Sequence, residues 1–367
     1  MRGQWLGRYE GSYDGQLMLN IDEVDDHFEG IAYLVPLPQN IPITVAYIKT
    51  ENKASDSSVV ADTFPIDPRT LYQVNWEQIK ALYPEGTSHA SKAKVSLRIL
   101  NEKLVIEANS DNGVQLNATL DRQPKTTESK IVGQKMSWSD FKSHAATLSN
   151  SNFLFRGQQK DWKLCTSFHR RGRYRMNTFI SGDVRLLHRR LSAITSHFFD
   201  LANPDQNGAF FNLLQHHGYP TPLLDWSYSP YVAAFFAFRD VQIGYKGDDV
   251  VRVYKFDSQE WHRRHIKIEN LDPPFPHLSV MEFIARDNPR VIPQQAATTV
   301  TNLYDIEAYV LEKEAQLGVK FLQAIDISAD ERDLAMKELR FMGITAGSMF
   351  PGIDGVCEEI RERNFDQ

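Results

Sequence analysis

The sequence predicts an α+β protein, with an N-terminal antiparallel β-rich domain of sandwich or barrel type followed by a larger region that mixes helices and strands. Three observations carry this. Residues up to about 122 alternate apolar and polar side chains with a period of two, as half-buried strands do. A polar stretch, Asp121 to Lys130, then interrupts the pattern and reads as a linker. Beyond it, apolar residues recur at helical spacing between short apolar runs, without the regular alternation of a parallel α/β fold. The expected organisation is residues 1–122, a linker over 123–136, and a second domain over 137–367.

In the first region Leu17, Leu19 and Ile21 alternate with Met18, Asn20 and Asp22. Val95, Leu97 and Ile99 repeat the pattern before a turn at Asn101-Glu102-Lys103 and a strand at Leu104 to Ile106. Gly7 to Gly15 is rich enough in glycine for tight turns, and Leu71 to Leu82 is expected to supply one helix. No catalytic constellation is visible here, so sensing or docking is the expected role.

In the second region Ser137 is placed to cap a helix that runs to Leu148. Asp183 to Leu201 repeats Val184, Leu187, Leu191, Ile194, Phe198 and Leu201 at helical spacing. Ala209 to His216 and Tyr231 to Arg239 read as short helices, the second apolar all round and therefore buried. Val250 to Phe256, Tyr309 to Leu311 and Val319 to Ile327 read as strands. Asp330 to Met342 reads as a capped helix that stops at Gly343.

Apolar residues make up 42% of the chain and charged residues 24%, an ordinary balance for a globular protein. The net charge of −6 argues against wholesale electrostatic binding of nucleic acid. A basic cluster over residues 169–190, His169 to Arg175 with Arg185, Arg189 and Arg190, still offers a face to nucleic acid or another phosphate-bearing partner; a solvated surface is the plainer reading. Cys165 and Cys357 lie far apart in no redox or metal motif, and no apolar run is long enough to span a membrane. The expectation is a cytoplasmic protein without a membrane partner.

The chemistry concentrates in three stretches. Arg156 follows Phe153, Leu154 and Phe155, which read as a strand entering a core, and Gly157 breaks the run. A guanidinium there needs an anion, either the carboxylate of Asp225 or a ligand phosphate. Leu213 to Phe238 contains Gln215, His216 and the segment Leu224-Asp225-Trp226-Ser227, which leads through Pro230 into the apolar helix. His216 suits a general base, a donor to ligand, or a helix cap. Asn288 to Val300 contains Arg290 and Gln294-Gln295. Adjacent His216 and His217 rarely chelate one ion, and Ser227 sits in no nucleophile elbow. Neither a metal site nor a serine hydrolase is expected. A Cys165–His216 hydrolase pair stays open, although a lone Cys among apolar residues is more often packing.

Together these motifs resemble the FRG-domain family. The resemblance runs from about Ser137 to Phe365 and rests on Phe155-Arg156-Gly157-Gln158, on Gln215 to Pro230, on Arg290 and Gln294, and on Phe350-Pro351 with Gly355. The chain departs from the family pattern at Ser227 and at Ala296-Ala297. The order strand-arginine, hydroxyl-bearing turn and helix is also similar to the ADP-ribosyltransferase fold of the arginine–serine–glutamate type. That resemblance implies an enzyme consuming NAD as substrate, an ADP-ribosyltransferase or NAD glycohydrolase suited to a bacterial toxin or phage-defence effector. Arg156, Gly157, Gln158, Asp225 and Trp226 would then bind the cofactor. His216, Ser227, Gln294 and Glu307 would be catalytic, with Glu307, or Glu282, supplying the carboxylate that Ala296 does not. A macromolecular acceptor or trigger would be recognised by the N-terminal domain. The alternative is a non-catalytic module binding a nucleotide or another phosphate-bearing small molecule.

Overall fold

The computed structural model describes residues 1–124, 126–148, 152–284 and 288–365. Lys125 of the expected linker, and 149–151, 285–287 and 366–367 of the expected second domain, lie outside the described residues.

The period-two pattern of the first region folds into eight strands: β1 (Gly3–Gly11), β2 (Gly15–Val24), β3 (His27–Pro36), β4 (Thr44–Lys49), β5 (Asp56–Pro65), β6 (Lys92–Leu100), β7 (Lys103–Ser110) and β8 (Gln115–Asp121). Each pairs antiparallel with the next, and β8 returns to β1 with Tyr9 opposite Ala118. The result is a closed up-and-down barrel, which leaves no sheet edge for aggregation. Trp5, Leu19, Ile21, Leu97 and Leu104 point inward and are buried. The expected helix at Leu71 to Leu82 shrinks to Trp76–Ile79 and a single tight turn.

One wall of the barrel is covered on both sides. The outward side chains of β2, read from sequence as the solvent face, include buried Met18, Asn20 and Asp22. Gln4 donates to Asn20 Oδ1 at 2.9 Å and to the Asn302 carbonyl at 2.7 Å, and the Tyr304 N–H donates back to Gln4 Oε1. Asp22 accepts the Tyr174 N–H at 2.7 Å, while Arg175 pairs with Glu29. Hydrogen bonds of this kind fix how the domains sit, because any buried polar group they left unmatched would be costly.

The expected linker is no free tether. Its end is β9 (Gln134–Met136), an edge strand of the second sheet, and its middle is pinned where the Lys163 N–H meets the Thr127 carbonyl and Ser129 meets Glu307. That sheet also holds β10 (Phe153–Gln158), β11 (Leu223–Ser227), β12 (Val250–Asp257), β13 (Leu278–Met281), β14 (Ala296–Thr301) and β15 (Leu322–Ser328). The order is β13-β14-β11-β10-β12-β15-β9, antiparallel except for the β15–β9 pair. On one face lie the Trp138–Ala146, Pro230–Phe238 and Arg332–Phe341 helices; Trp261 and the Ile306–Leu317 helix cover the other. Arg252 and Asp326 face each other across β12 and β15, with Nε–Oδ1 at 2.7 Å and Nη2–Oδ2 at 2.8 Å. The same guanidinium donates to the Ile131 carbonyl, so this buried cation is fully met.

The Pro230–Phe238 helix begins at an N-cap, Ser229, which accepts the Val232 N–H, with Pro230 in the first turn. It lies directly on β10 at Gly157. A Cβ there would sit 1.8 Å from the Ala233 carbonyl oxygen and 2.7 Å from the Ala237 nitrogen. The glycine that follows Arg156 is thus required by backbone contact.

Two expected elements change. Tyr309 to Leu311 is helical, because Asp305 caps the Ile306–Leu317 helix by accepting the Ala308 N–H and Gly318 ends it at φ +64. The Asp183 to Leu201 segment forms helix only to Leu191, after a wider turn at Phe179–Val184. The chain then doubles back so that His188 bonds the Phe199 carbonyl at 2.6 Å, leaving Ile194 and Phe198 largely exposed.

Candidate functional site

Strands β10 and β11 lie side by side with Phe155 opposite Ser227, and a cleft of about 500 Å³ opens over them. It is walled by the end of the Pro204–His216 helix, the loop holding Arg290 and Gln294, and Phe350. Three distant stretches of sequence therefore meet. Of the residues nominated from the sequence, Arg156, Gly157, Gln158, His216, Asp225, Trp226, Ser227 and Gln294 line this cleft, and Glu307, Glu282 and Cys165 do not.

Arg156 is half-buried and forms no ion pair with Asp225. Its Nη1 donates to the Asp225 main-chain carbonyl at 2.7 Å, and its buried Nε has no partner among the described residues. Burial, and secondarily the charge of Arg170, push its pKa down, opposed by Asp225. The Asp225 carboxylate is exposed within the cleft and is oriented by Gln215, whose Nε2 donates to Oδ2 at 2.9 Å. Gln215 is held in turn by the Thr221 hydroxyl.

Arg170 and Arg290, which sequence reasoning did not place in the site, complete it. Neither has a carboxylate partner among the described ion pairs, and the buried Nε of Arg290 is unpartnered while its guanidinium stands 4.9 Å over the Phe350 ring. Cleft carboxylates are Asp225 and Asp240. His216 borders the cleft with its pKa pushed down to about 4 by burial, then by Arg290 and His217, so it is neutral at neutral pH. A cleft edged by guanidiniums with open donor positions has the chemistry to hold an anion.

Other nominated residues are engaged in the framework. Gln158 is buried and donates to the Trp162 carbonyl at 2.6 Å. The Trp226 indole lies in the core, donating to Thr299 Oγ1 at 3.0 Å beside Phe256. Ser227 Oγ donates to the Gln294 carbonyl at 2.7 Å and accepts the Ser229 N–H at 3.0 Å. Gln294 Nε2 reaches the Met349 carbonyl at 2.8 Å. Among the described residues no carboxylate touches Ser227.

Glu307 needs correcting. It is buried away from the cleft, where its carboxylate accepts the Leu164 N–H, the Tyr254 hydroxyl and the Ser129 hydroxyl. A carboxylate so fully engaged ties three segments together. Glu282 accepts from the Tyr228 hydroxyl and does not line the cleft either. Cys165 is buried, with its thiol pushed up to about 11 mainly by that burial, which suits packing and not nucleophilic attack.

The basic cluster is distributed. Arg173 pairs with Asp183, Arg175 pairs with Glu29, and Arg170 enters the cleft; Arg185, Arg189 and Arg190 stay exposed on a short helix. His169 is almost fully buried beside Thr166 Oγ1, 2.7 Å away, and burial pushes its pKa down to about 3. Unfolded, the imidazole takes a proton near pH 6.5; folded, only near 3. Below pH 6.5 the unfolded chain binds more protons, so stability falls with pH. Urea unfolding should show wild type losing about 2 kcal/mol relative to His169→Gln between pH 7 and pH 5. Parallel curves would contradict this.

Among the described residues, no helix is long and apolar enough to cross a membrane, and no group of three or more His, Cys, Asp or Glu is placed to hold a metal ion. No curated protein matches the chain. A comparison with protein families matches residues 151–244 to the FRG domain, a span that contains β10, Arg170, His216, β11 and the helix seated on Gly157. The chain thus carries an FRG domain over residues 151–244, and this segment supplies the floor and one wall of the cleft.

Proposed function

We propose that the cleft binds a phosphate-bearing nucleotide, with NAD as the first candidate, and that the protein consumes it by cleaving the nicotinamide–ribose bond. The observation that carries this is the set Arg156, Arg170 and Arg290, none with a carboxylate partner among the described residues, around an exposed carboxylate that Gln215 orients. A pyrophosphate supplies the acceptors that these guanidiniums lack. Breaking the glycosidic bond develops an oxocarbenium ion, which a nearby anion stabilises. In this reading Asp225, not Glu307, faces the ribose, and water or a macromolecular acceptor takes the sugar. Loss of NAD through such a reaction would suit a toxin or defence effector.

The non-catalytic alternative is favoured by one observation: Ser227 has its hydroxyl bonded to main-chain groups and meets no carboxylate. Release of nicotinamide from NAD by the purified protein decides between them. Asp225→Asn keeps the hydrogen bond to Gln215 but removes the charge; it should lower the rate at least about a hundredfold, with ADP-ribose binding retained. Wild-type silence alongside saturable ADP-ribose binding would support the module and overturn the enzyme.

A further inference from the structure

The inward positions of an eight-stranded barrel can be filled by side chains or can hold one small ligand, depending on their size. Here the ends of the barrel differ. Trp5, Ile21, Phe28, Leu104 and Leu120 fill one end. Toward the other, the inward positions include Ala32, Ala46, Ala93, Ala108 and Ala118 among larger residues such as Leu17, Ile106 and Leu116, and a hollow of about 300 Å³ remains. That volume is at the lower bound for small-molecule pockets, roughly 300 Å³. No Asp, Glu, Lys or Arg lines it. Left unfilled, a hollow of this kind would forfeit the dispersion contacts that close packing gives elsewhere.

The wall carries one unmatched polar group. The buried Tyr9 hydroxyl has no hydrogen-bond partner among the described residues, and Gly15 makes room for it: a Cβ there would meet Tyr9 Oη at 2.3 Å. Buried polar atoms are rarely left so in native proteins, and a phenol aimed at a ligand is one reason for an exception. The mouth is crossed by residues 87–90. The Thr63 hydroxyl donates to the Ala90 carbonyl at 2.6 Å, His89 Nε2 meets Thr44 Oγ1 at 3.1 Å, and Asn112 reaches Ser88 Oγ at 3.3 Å.

We propose that the N-terminal barrel is a binding site for one neutral, mainly apolar small molecule carrying a single hydrogen-bond acceptor for the Tyr9 hydroxyl. Burial raises the phenol's pKa, so it stays a donor at neutral pH. A charged ligand is excluded because nothing in the wall would neutralise it. The site is separate from the arginine-lined cleft and does not depend on the function proposed for it.

The test uses full-length protein and the neutral fluorophore N-phenyl-1-naphthylamine, whose emission rises in apolar surroundings. Wild type should give a saturable, one-to-one increase, reversed by 1-decanol. Ala46→Phe and, independently, Ala118→Leu fill the hollow and should weaken the probe at least about tenfold, with far-UV circular dichroism and melting temperature maintained. Tyr9→Phe should weaken displacement by 1-decanol about threefold to tenfold and leave the naphthylamine within about twofold, as loss of one neutral hydrogen bond predicts. Absence of a saturable signal in wild type, or undiminished binding by both filled variants with native spectra, overturns the proposal.

Discussion

Arg156→Ala is expected to weaken ADP-ribose binding by about tenfold to a hundredfold while costing little stability. A charge-assisted hydrogen bond to a buried or half-buried group contributes about 1.5–3 kcal/mol, and each 1.4 kcal/mol is a factor of about ten. Among the described residues the guanidinium holds the Asp225 carbonyl, at 2.7 Å, so removing it releases one main-chain acceptor beside the cleft. Arg156→Lys should recover little, because a single ammonium cannot reproduce the planar fork. Arg290→Ala should add a comparable loss, since it approaches from a different loop. Isothermal titration with ADP-ribose reads the affinity, and thermal melting separates it from folding. A drop in melting temperature of more than about 10 °C without a change in affinity would assign Arg156 to the framework.

Gly157→Ala should act in the opposite way, on the fold first. The atoms a methyl group would meet, the Ala233 oxygen at 1.8 Å and the Ala237 nitrogen at 2.7 Å, belong to the backbone and cannot swing aside. The Pro230–Phe238 helix would have to lift off β10, opening its packing, Phe235 included, over Val251 and Val253. Overpacking of a close-packed core costs about 1–3 kcal/mol, and a backbone clash belongs at or above the top of that range. The expected fall in melting temperature is about 6–12 °C. Gly182→Ala is the control, since nothing lies within 4 Å of its added carbon. Equal melting temperatures for the two variants would contradict the close approach.

Much of the site was legible because its parts are local. An apolar run ending in Arg156-Gly157, and a capped apolar helix following Asp225-Trp226-Ser227, announce a strand and a strand–turn–helix unit in any context. What the sequence does not carry is the way those units meet. Arg170 and Arg290 come from a basic cluster and a proline-rich loop, and only the folded sheet brings them beside Arg156. Glu307 fits a catalytic carboxylate by residue type, yet its three hydrogen bonds place it in the framework. Alternation marked the first region as antiparallel β, with strands at Leu17 to Ile21, Val95 to Ile99 and Leu104 to Ile106, but not the closure of eight strands, because a sandwich and a barrel share that pattern until Tyr9 meets Ala118. Tyr309 to Leu311 reads as strand by β-propensity, and the Asp305 cap with the Gly318 stop overrules it.

The central claim is that the second domain presents unpaired guanidiniums to an external anion. Calorimetric titration of wild-type protein with ADP-ribose, at about 50 mM and again at about 200 mM salt, tests it most directly. The account predicts one saturable site per chain whose affinity falls as salt rises, through screening of a charge-driven contact. Heats no larger than buffer dilution up to millimolar ligand, in protein whose melting curve shows it folded, would contradict it.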